Sequence, residues 1–330
     1  MRKHDWAVVL AAGDGARLSA LTTDDRGRSV PKQFCSLHDQ RCLFDLALAR
    51  ARSIVAPTRV CAVVAEKHQP WWDATAAEFA PGNLIVQPAN RGTGNGVLLT
   101  LVQILRRDPE ARVIFLPADH HVLDEGVLAE AMRKTLHGLE SRLPDIYLLG
   151  MDPDKADPEL GYIKLNGRGK PGVSPGVTQF VEKPCRADAE RLIAEGGLWN
   201  SFIFAARGDR MIDVFETHYP RNAMAMQAAL AGNPDPLRPS AALAKLYERL
   251  APLDMSRDIL TARVELLKVV RVPHCGWTDL GSPQRVCERV GLLSAGQRRT
   301  TTPATRQAYL DLAKAPACRP RLPAAARTAA

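Results

Sequence analysis

The sequence predicts an α/β fold in which a mixed, mostly parallel sheet carries helices on both of its faces. Two observations support this prediction. Short apolar runs of strand length alternate with segments of helix length through the first 150 residues. Several of these runs also end in glycine-rich or acidic turns, and ligands of such sheets bind at the carboxyl ends of the strands. From residue 151 the strands are separated by longer excursions, and we find no internal repeat.

The predicted elements alternate regularly in the first half of the chain. The strands expected there are 6–12, 59–65, 83–87, 112–116 and 146–150, and the helices are 42–55, 97–105 and 125–139. In the second half the expected strands are 161–164, 178–183, 198–205 and 267–272. The helices expected there are 188–195, 209–218, 221–231, 241–250 and 283–293.

Composition and charge favour an ordinary globular protein. The 330 residues are 46% hydrophobic and 24% charged, with a formal net charge of +8. Seven basic residues and one aspartate lie in 297–330, so this segment carries six of those eight charges. The remainder is nearly neutral and has no basic stripe with interleaved aromatic residues. We therefore expect no nucleic-acid partner.

Cysteine usage and hydropathy indicate a cytoplasmic protein. The seven cysteines include no C-x-x-C pair and their number is odd, so neither a disulfide scaffold nor structural zinc is expected. The apolar run after the basic residues 1–5 has only the length of one strand, which is too short for a signal peptide. No stretch approaches the length of a membrane span, so no membrane partner is expected.

The stretch 6–34 predicts a polyphosphate site. A buried strand ends at the turn Gly13-Asp14-Gly15, where glycine allows the backbone to approach an anion closely. Arg17 then offers paired donors for phosphate oxygens, and Lys32 follows a proline. Leu18 replaces the third glycine of G-x-G-x-x-G, which disfavours a dinucleotide fold, and no G-K-[ST] of a P-loop follows.

Two carboxylates are predicted to end strands. Asp119 closes the fourth predicted strand, and Asp279 follows the last one and precedes a helix that Ser282 could cap. A lone carboxylate at a strand end, such as Asp119, is most often a cap for the helix that follows. Alternatively the two converge on one magnesium ion, which prefers a carboxylate together with phosphate oxygens and water.

Three further segments carry polar candidates, each with a structural alternative. Glu182 and Lys183 end a strand before a proline; they form either a surface charge pair or a sugar-phosphate contact. Asn200 either has its hydrogen bonds satisfied within the protein beside a buried tryptophan, or it binds sugar hydroxyls. The glycine-rich segment 88–96 is either a simple helix entry or a wall against which a base lies.

The order of these motifs resembles that of the sugar nucleotidyltransferases, and most closely that of mannose-1-phosphate guanylyltransferases. The resemblance covers most of residues 6–293. It rests on Ala-Gly-x-Gly-x-Arg-Leu at 12–18, Pro-Lys-Gln-Phe at 31–34, Pro-Ala-Asp-His at 117–120, Gly-Tyr-Ile at 161–163, Val-Glu-Lys-Pro at 181–184, Trp-Asn-Ser at 199–201 and Trp-Thr-Asp-Leu-Gly-Ser at 277–282.

The resemblance implies a Rossmann-like nucleotidyltransferase core over 1–295. Residues 1–150 would form the nucleotide-binding half, 151–295 the sugar-phosphate-binding half, and 296–330 a basic, disordered tail. The nucleotide would contact Ala11, Ala12, Gly13, Gly15, Gln87, Arg91, Gly92 and Thr93. The catalytic cations would be Arg17, Lys32 and Lys183, and the sugar phosphate would contact Gly161, Glu182, Lys183 and Asn200. Asp119 and Asp279 would bind Mg²⁺.

The implied reaction is in-line attack of mannose 1-phosphate on the α-phosphate of GTP, giving GDP-mannose and pyrophosphate; a homodimer is left open. Three departures from the family pattern weaken the guanine assignment or affect the sugar pocket: Gln87, Thr93-Gly94-Asn95 and Phe202. Gln-Pro also occurs in thymidylyltransferases, so glucose-1-phosphate thymidylyltransferase is one alternative. A cytidylyltransferase and a catalytically silent nucleotide-sugar sensor are the others.

Overall fold

The first apolar run forms the strand from which the sheet is built. The computed structural model describes residues 2–15, 18–23, 27–36, 41–139, 146–167, 174–232 and 239–290. In these residues the sheet has nine strands: β1 (Asp5–Ala11), β2 (Val60–Ala65), β3 (Leu84–Gln87), β4 (Arg112–Pro117), β5 (Ile146–Met151), β6 (Gly161–Leu165), β7 (Val177–Glu182), β8 (Leu198–Arg207) and β9 (Leu267–Val272).

Helices connect most of these strands. They are α1 (Ser19–Thr22), α2 (Leu43–Arg52), α3 (Gln69–Trp72), α4 (Thr93–Leu105), α5 (Glu125–Gly138), α6 (Arg186–Ala194), α7 (Gly208–His218), α8 (Pro220–Ala231), α9 (Ala241–Arg249) and α10 (Pro283–Val290). A π-helical segment, Met255–Leu260, follows α9. None of the helices in the described residues is long and apolar enough to span a bilayer.

The sheet has the strand order β3-β2-β1-β4-β8-β5-β9, with β6 joining β8 and β7. Strands β3, β2, β1 and β4 are parallel to one another, and β9 is parallel to β5. Strand β8 is antiparallel to both β4 and β5, and it joins the two parallel parts. The predicted mixed α/β sheet is therefore confirmed, and the carboxyl ends of β1 to β4 lie along one edge.

The core lies on both faces of the sheet, as the unbroken apolar run of β1 predicts. Ala7 and Val9 pack in a cluster that includes residues of α2 and α5. Trp6 and Val8, whose side chains point to the opposite face, pack with residues of α4, α7, α8 and α9. Because the strand is buried on both faces, only the ends of the sheet are available for ligands.

Helix α4 begins at Thr93, four positions before the predicted start at 97. Tertiary contacts explain the earlier start. The Gly94 N–H donates to the Leu253 carbonyl at 2.8 Å, and the Met255 N–H donates to Thr93 Oγ1 at 2.9 Å. Gly92 precedes the helix with φ +83°, and a Cβ there would collide with Leu253. Glycine is therefore required where this turn packs against the later segment.

The helices that follow Asp119 and Asp279 are capped by other residues. Asp124, and not Asp119, caps α5 by accepting from the Val127 N–H at 3.1 Å. At α10 the Arg285 N–H donates to Ser282 Oγ at 3.4 Å, as the sequence predicted. Both Asp119 and Asp279 are thus left for other roles. The predicted tail lies outside the described residues.

Candidate active site

A cavity of about 380 Å³ opens at the carboxyl edge of the parallel strands. The turn after β1, the end of β3 with the start of α4, and the end of β4 all contribute to it. Its lining includes Ala12, Gly13, Gly15, Gln33, Gln87, Asn90, Gly92, Thr93, Gly96, Asp119, His120 and Phe202. Most of the residues predicted to bind the nucleotide therefore line one cavity. Ala11 lies at the end of β1 and is buried beside it.

The glycine turn is held in place by a side chain that the sequence analysis did not single out. Gln33 Nε2 donates to the carbonyls of Ala11 at 2.8 Å and Gly13 at 2.9 Å. Gly15 has φ +63°, and a Cβ there would lie 3.0 Å from the backbone nitrogen of Lys32. The absence of a side chain at Gly15 therefore lets Lys32 approach the turn. Arg17 lies outside the described residues.

Lys32 contacts both of the predicted aspartates, one through its side chain and the other through its backbone. Its Nζ lies 2.9 Å from Asp119 Oδ2 and donates to the Asp279 carbonyl at 2.7 Å. Burial alone would raise the pKa of Asp119, but the surrounding charges and hydrogen bonds, of which the Lys32 ammonium is the strongest, together hold the pKa below its usual value. The carboxylate is consequently ionised and partly exposed at the cavity, where a cation can reach it.

His120 is neutral at this site. Burial lowers its pKa to about 4, although the neighbouring Asp119 acts in the opposite direction. Its Nδ1 accepts from Trp277 Nε1 at 3.3 Å, which assigns the ring proton to Nε2. The side chain therefore adds no positive charge beside Asp119, and Lys32 is the cation that neutralises that carboxylate.

The second carboxylate, Asp279, faces an arginine. Arg285 Nη1 donates to Asp279 Oδ1, and the Gly281 N–H donates to the same oxygen at 3.0 Å. Burial would raise the pKa of Asp279, but the surrounding charges and hydrogen bonds, of which the Arg285 guanidinium is the strongest, together hold the pKa below its usual value. Asp279 lines a neighbouring cavity of about 220 Å³, not the larger one.

These carboxylates suit a hard divalent cation in their donor chemistry. Both are ionised oxygen donors that follow strands, Asp119 after β4 and Asp279 after β9, and Lys32 contacts the side chain of Asp119 and the backbone of Asp279. A bridge between His121 and Thr278 holds the two segments together. Within the described residues, however, no cluster of three or more His, Cys, Asp or Glu side chains could hold a metal. Water would have to supply the other ligands in the free protein, and substrate phosphate oxygens together with water in the complex.

The base end of the cavity contains a buried amide. Gln87 closes β3 with only 3% of its surface exposed, and its Oε1 has no hydrogen-bond partner among the described residues. A Cβ added at Gly96 would lie 3.1 Å from this oxygen, so glycine leaves space in front of it. A buried acceptor without a partner is costly, and a ligand donor in the cavity would satisfy it.

Arg91 points away from this cavity. Its guanidinium donates to the carbonyls of Tyr247 at 2.7 Å and Glu248 at 3.1 Å, and its own carbonyl accepts from the Leu253 N–H. The geometry therefore gives Arg91 a structural role, clamping the loop onto the segment after α9. This differs from the nucleotide contact expected from the sequence, because no local signal revealed the long-range partner.

The predicted sugar residues come together on the antiparallel part of the sheet. Gly161 pairs with Glu182 across β6 and β7, and a Cβ at Gly161 would lie 2.8 Å from Glu182 Oε2 and 3.7 Å from the Asn200 Cβ. Asn200 Oδ1 accepts from the Phe202 N–H at 3.0 Å. Lys183 follows Glu182 with φ +48°. Glu182 and Lys183 are exposed, as are Gly13 and Asp14 of the glycine turn, whereas Lys32 and Gln33 are buried.

A comparison with protein families assigns the chain. Residues 6–291 match the model of the nucleotidyl transferase family. The chain belongs to that family. Its members bind a nucleoside triphosphate and a sugar 1-phosphate and generally use a divalent metal ion.

Relatives with names point in the same direction. Mannose-1-phosphate guanylyltransferase of Escherichia coli K12 is 27% identical over 84% of this chain and 58% of its own length. The xanthan biosynthesis protein XanB of Xanthomonas campestris pv. campestris is 27% identical over 83% of this chain and 57% of its own. The chain thus spans little more than half the length of these relatives.

A solved structure from Thermus thermophilus, described as mannose-1-phosphate geranyltransferase, has the same fold. It is 30% identical, with a TM-score of 0.75 over 88% of this chain and 80% of that one. The likeness in fold therefore agrees with the family assignment, which already covers all of the described sheet but its first residue.

Proposed function

We propose that this chain joins mannose 1-phosphate and GTP to give GDP-mannose and pyrophosphate. The observation that carries the proposal is the large cavity, which has a glycine turn and the Lys32–Asp119 pair at one end and the buried amide of Gln87 at the other. A triphosphate and a base would each meet suitable groups there. The names of the relatives support mannose 1-phosphate as the second substrate.

The proposed chemistry is an in-line displacement. A phosphate oxygen of the sugar 1-phosphate forms a bond to the α-phosphorus, and the bond from that phosphorus to the bridging oxygen breaks, so the electron pair leaves with pyrophosphate. The nucleophile is already an anion, so no general base is required, and the neutral His120 is consistent with this. Catalysis then consists of positioning and charge stabilisation.

Lys32 is proposed to stabilise the α-phosphate and the leaving pyrophosphate together with Arg17. The contacts of Nζ with Asp119 and with the Asp279 carbonyl fix the ammonium beside the glycine turn, so little reorganisation is needed during the reaction. Asp119 and Asp279 are proposed to hold Mg²⁺, which would supply positive charge to the phosphate oxygens when bound.

The sugar phosphate is proposed to lie near Gly161, Glu182 and Asn200, with Lys183 holding its phosphate in line. The Glu182 carboxylate can accept hydrogen bonds from sugar hydroxyls. The absence of a side chain at Gly161 leaves room in front of this carboxylate.

Gln87 also supports a second candidate, a glucose-1-phosphate thymidylyltransferase. Its amide can both accept from a ring N–H and donate to a carbonyl oxygen, and guanine and thymine each present that pair. The buried position of the amide therefore supports a base with an N–H next to a carbonyl. It favours guanine or thymine over cytosine, which has no ring N–H at that edge.

Location and assembly are also part of the proposal. A cytoplasmic location is supported by the cysteine pattern, because the seven cysteines are odd in number and include no C-x-x-C pair. A homodimer is compatible with the chain and would be measured by light scattering.

Pyrophosphate release tests the proposal directly. Four nucleoside triphosphates would be crossed with mannose 1-phosphate and glucose 1-phosphate in the presence of Mg²⁺. We expect the fastest release with GTP and mannose 1-phosphate. Preference for thymidine triphosphate and glucose 1-phosphate would establish the second candidate. No release with any pair, from folded protein that still binds nucleotide, would replace both enzymes with a nucleotide-sugar sensor.

A further inference from the structure

Arg285 is a buried cation with partners in two separate parts of the chain. It lies on α10 with 7% of its surface exposed. Its Nε and Nη2 each lie 3.2 Å from an oxygen of Asp157, and Nη2 lies 3.3 Å from Glu159 Oε2. Its Nη1 donates to Asp279 Oδ1. One planar guanidinium thus fixes three carboxylates, which a lysine ammonium could not do with the same geometry.

The partners of Arg285 belong to the segment that leads to the sugar end. The Asp157 N–H donates to the Tyr162 hydroxyl at 2.9 Å, and that hydroxyl donates back to the Asp157 carbonyl at 3.2 Å. Tyr162 is fully buried in β6, next to Gly161. Arg285 therefore connects the Asp279 carboxylate to a rigid part of the sheet, close to the proposed sugar contacts.

The hydrogen bonds leave one oxygen of Asp279 for a cation. In the described part of the chain, both hydrogen bonds to this carboxylate end on Oδ1, from Arg285 and from the Gly281 N–H. Oδ2 lies over Gly281, where a Cβ would collide with it. A carboxylate held by one oxygen presents the other in a fixed direction, which is how groups behind a metal ligand orient it.

We propose that Arg285 is a positioning residue that fixes the Asp279 carboxylate for the divalent cation and couples it to the segment 157–162. The inference rests on the proposed function, because it assigns Asp279 to the metal. No substrate contact is assigned to Arg285 itself.

The direction of the change in metal affinity distinguishes positioning from simple charge. A guanidinium close to a cation site repels the cation, so its removal would tighten metal binding if charge alone mattered. If Arg285 instead orients Asp279, its removal frees the carboxylate to rotate and weakens metal binding. Loss of such an outer partner typically costs about 10- to 100-fold in metal affinity.

The test is a direct measurement of Mn²⁺ binding to the full chain without substrates, monitored by electron paramagnetic resonance. We expect Arg285→Met to weaken Mn²⁺ binding about tenfold and Arg285→Lys to have an intermediate effect. The Mg²⁺ concentration for half-maximal activity should rise in parallel. Arg112→Met is the matched control, because Arg112 also forms a buried ion pair, with Asp5 at 2.6 Å, but at the opposite end of β4.

Unchanged or tighter Mn²⁺ binding by folded Arg285→Met would overturn the proposal, as would wild-type protein that binds no Mn²⁺. If Arg285→Met does not fold, Asp157→Asn keeps the arginine while weakening its anchor, and unchanged Mn²⁺ binding by that variant would also overturn it. Wild-type protein that binds Mn²⁺ through Arg285-dependent geometry but transfers no nucleotide would contradict the proposed function instead.

Discussion

Both ends of the strands β1 and β4 carry buried or half-buried polar residues, but these residues are hydrogen-bonded to different extents at the two ends. At the amino ends Asp108 accepts from Trp6 Nε1 at 2.7 Å and from Arg59 at 2.8 Å, and it contacts His4 at 2.7 Å. At the carboxyl end of β4, Asp119 has Lys32 as its main partner, and on the same edge of the sheet Gln87, which ends β3, has an oxygen without a hydrogen-bond partner in the part of the chain that the structure describes.

This difference indicates that the residues at the amino ends stabilise the fold, whereas those at the carboxyl ends are available to a ligand. The amino-end cluster is closed: Arg59 lies 4.5 Å and Arg107 5.0 Å from the centre of the Trp6 ring, on which both guanidinium groups can stack. The carboxyl-end groups border a cavity and retain capacity for a ligand. Buried polar groups with complete partners stabilise a fold, whereas incompletely paired ones are costly unless a ligand completes them.

The largest expected effect is at the carboxyl end, on Lys32→Met. Removing the ammonium takes away the charge proposed to stabilise the leaving pyrophosphate. We expect the turnover number to fall about 100- to 1000-fold, or roughly 3–4 kcal/mol in the activation free energy. Steady-state pyrophosphate release measures this loss, with circular dichroism to verify the fold.

Lys67→Met is the matched control for this variant. Lys67 also contacts the glycine turn, through an ion pair with Asp14 at 2.6 Å, but both side chains are exposed. Such pairs contribute little, so turnover should stay within about twofold of wild type. Near-normal turnover of Lys32→Met, or equal losses in both variants, would contradict the role assigned to Lys32.

The next effect is expected at the amino end, on Asp108→Asn. Loss of the charge weakens three buried or half-buried contacts, and we expect the free energy of unfolding to fall by about 2–3 kcal/mol. Urea denaturation at pH 7 measures this. Turnover per folded molecule should be unchanged, because Asp108 lies far from the cavity along the strand; a large loss of turnover would show that the two ends are not independent.

The same residue predicts a pH dependence. Burial would raise the pKa of Asp108, but its hydrogen bonds with Trp6 and His4 and the charge of Arg59 hold the pKa below its ordinary value. A depressed folded-state pKa contributes stability above the unfolded value of about 3.9, and this stability is lost as the pH falls through the folded pKa. Asp108→Asn should therefore show a shallower loss of stability below about pH 4 than wild type.

The smallest effect should come from Gln87→Leu, which replaces the buried amide with an apolar side chain of similar size. We expect the KM for the preferred nucleoside triphosphate to rise about tenfold, roughly 1–2 kcal/mol, because a base N–H loses its acceptor. The preference among the four triphosphates should narrow in the same assay. An unchanged preference would place base recognition elsewhere in the cavity.

The sequence could predict features that depend on local pattern. The strands, the glycine turn, Asp119 at a strand end and Ser282 as a cap all follow from periodicity and turn chemistry. It could not predict that Arg91 would bind carbonyls near Tyr247 or that α4 would begin at Thr93. Those outcomes depend on contacts between segments far apart in sequence, which no local pattern encodes.

Arg285 shows the same limit at the candidate site. Its position in the first turn of α10 predicts nothing, and its partners Asp157 and Asp279 are separated from each other by most of the second half of the chain. Gln33, in contrast, could be predicted from the sequence, because it belongs to the Pro-Lys-Gln-Phe motif. The roles assigned to Glu182, Lys183 and Asn200 remain predictions.

The pairing of β5 has a consequence for synthesis of the chain. Strand β5 pairs with β8 and β9, both of which come later in sequence, and it does not pair with any described strand before it. A ribosome-bound chain ending near residue 150 would therefore expose an apolar strand without a neighbour. The cavity wall at Gly92 and Gly94 must also wait for Leu253. The cavity proposed to bind the nucleotide, although lined mostly by residues 10–120, can therefore close only after about three quarters of the chain has been synthesised.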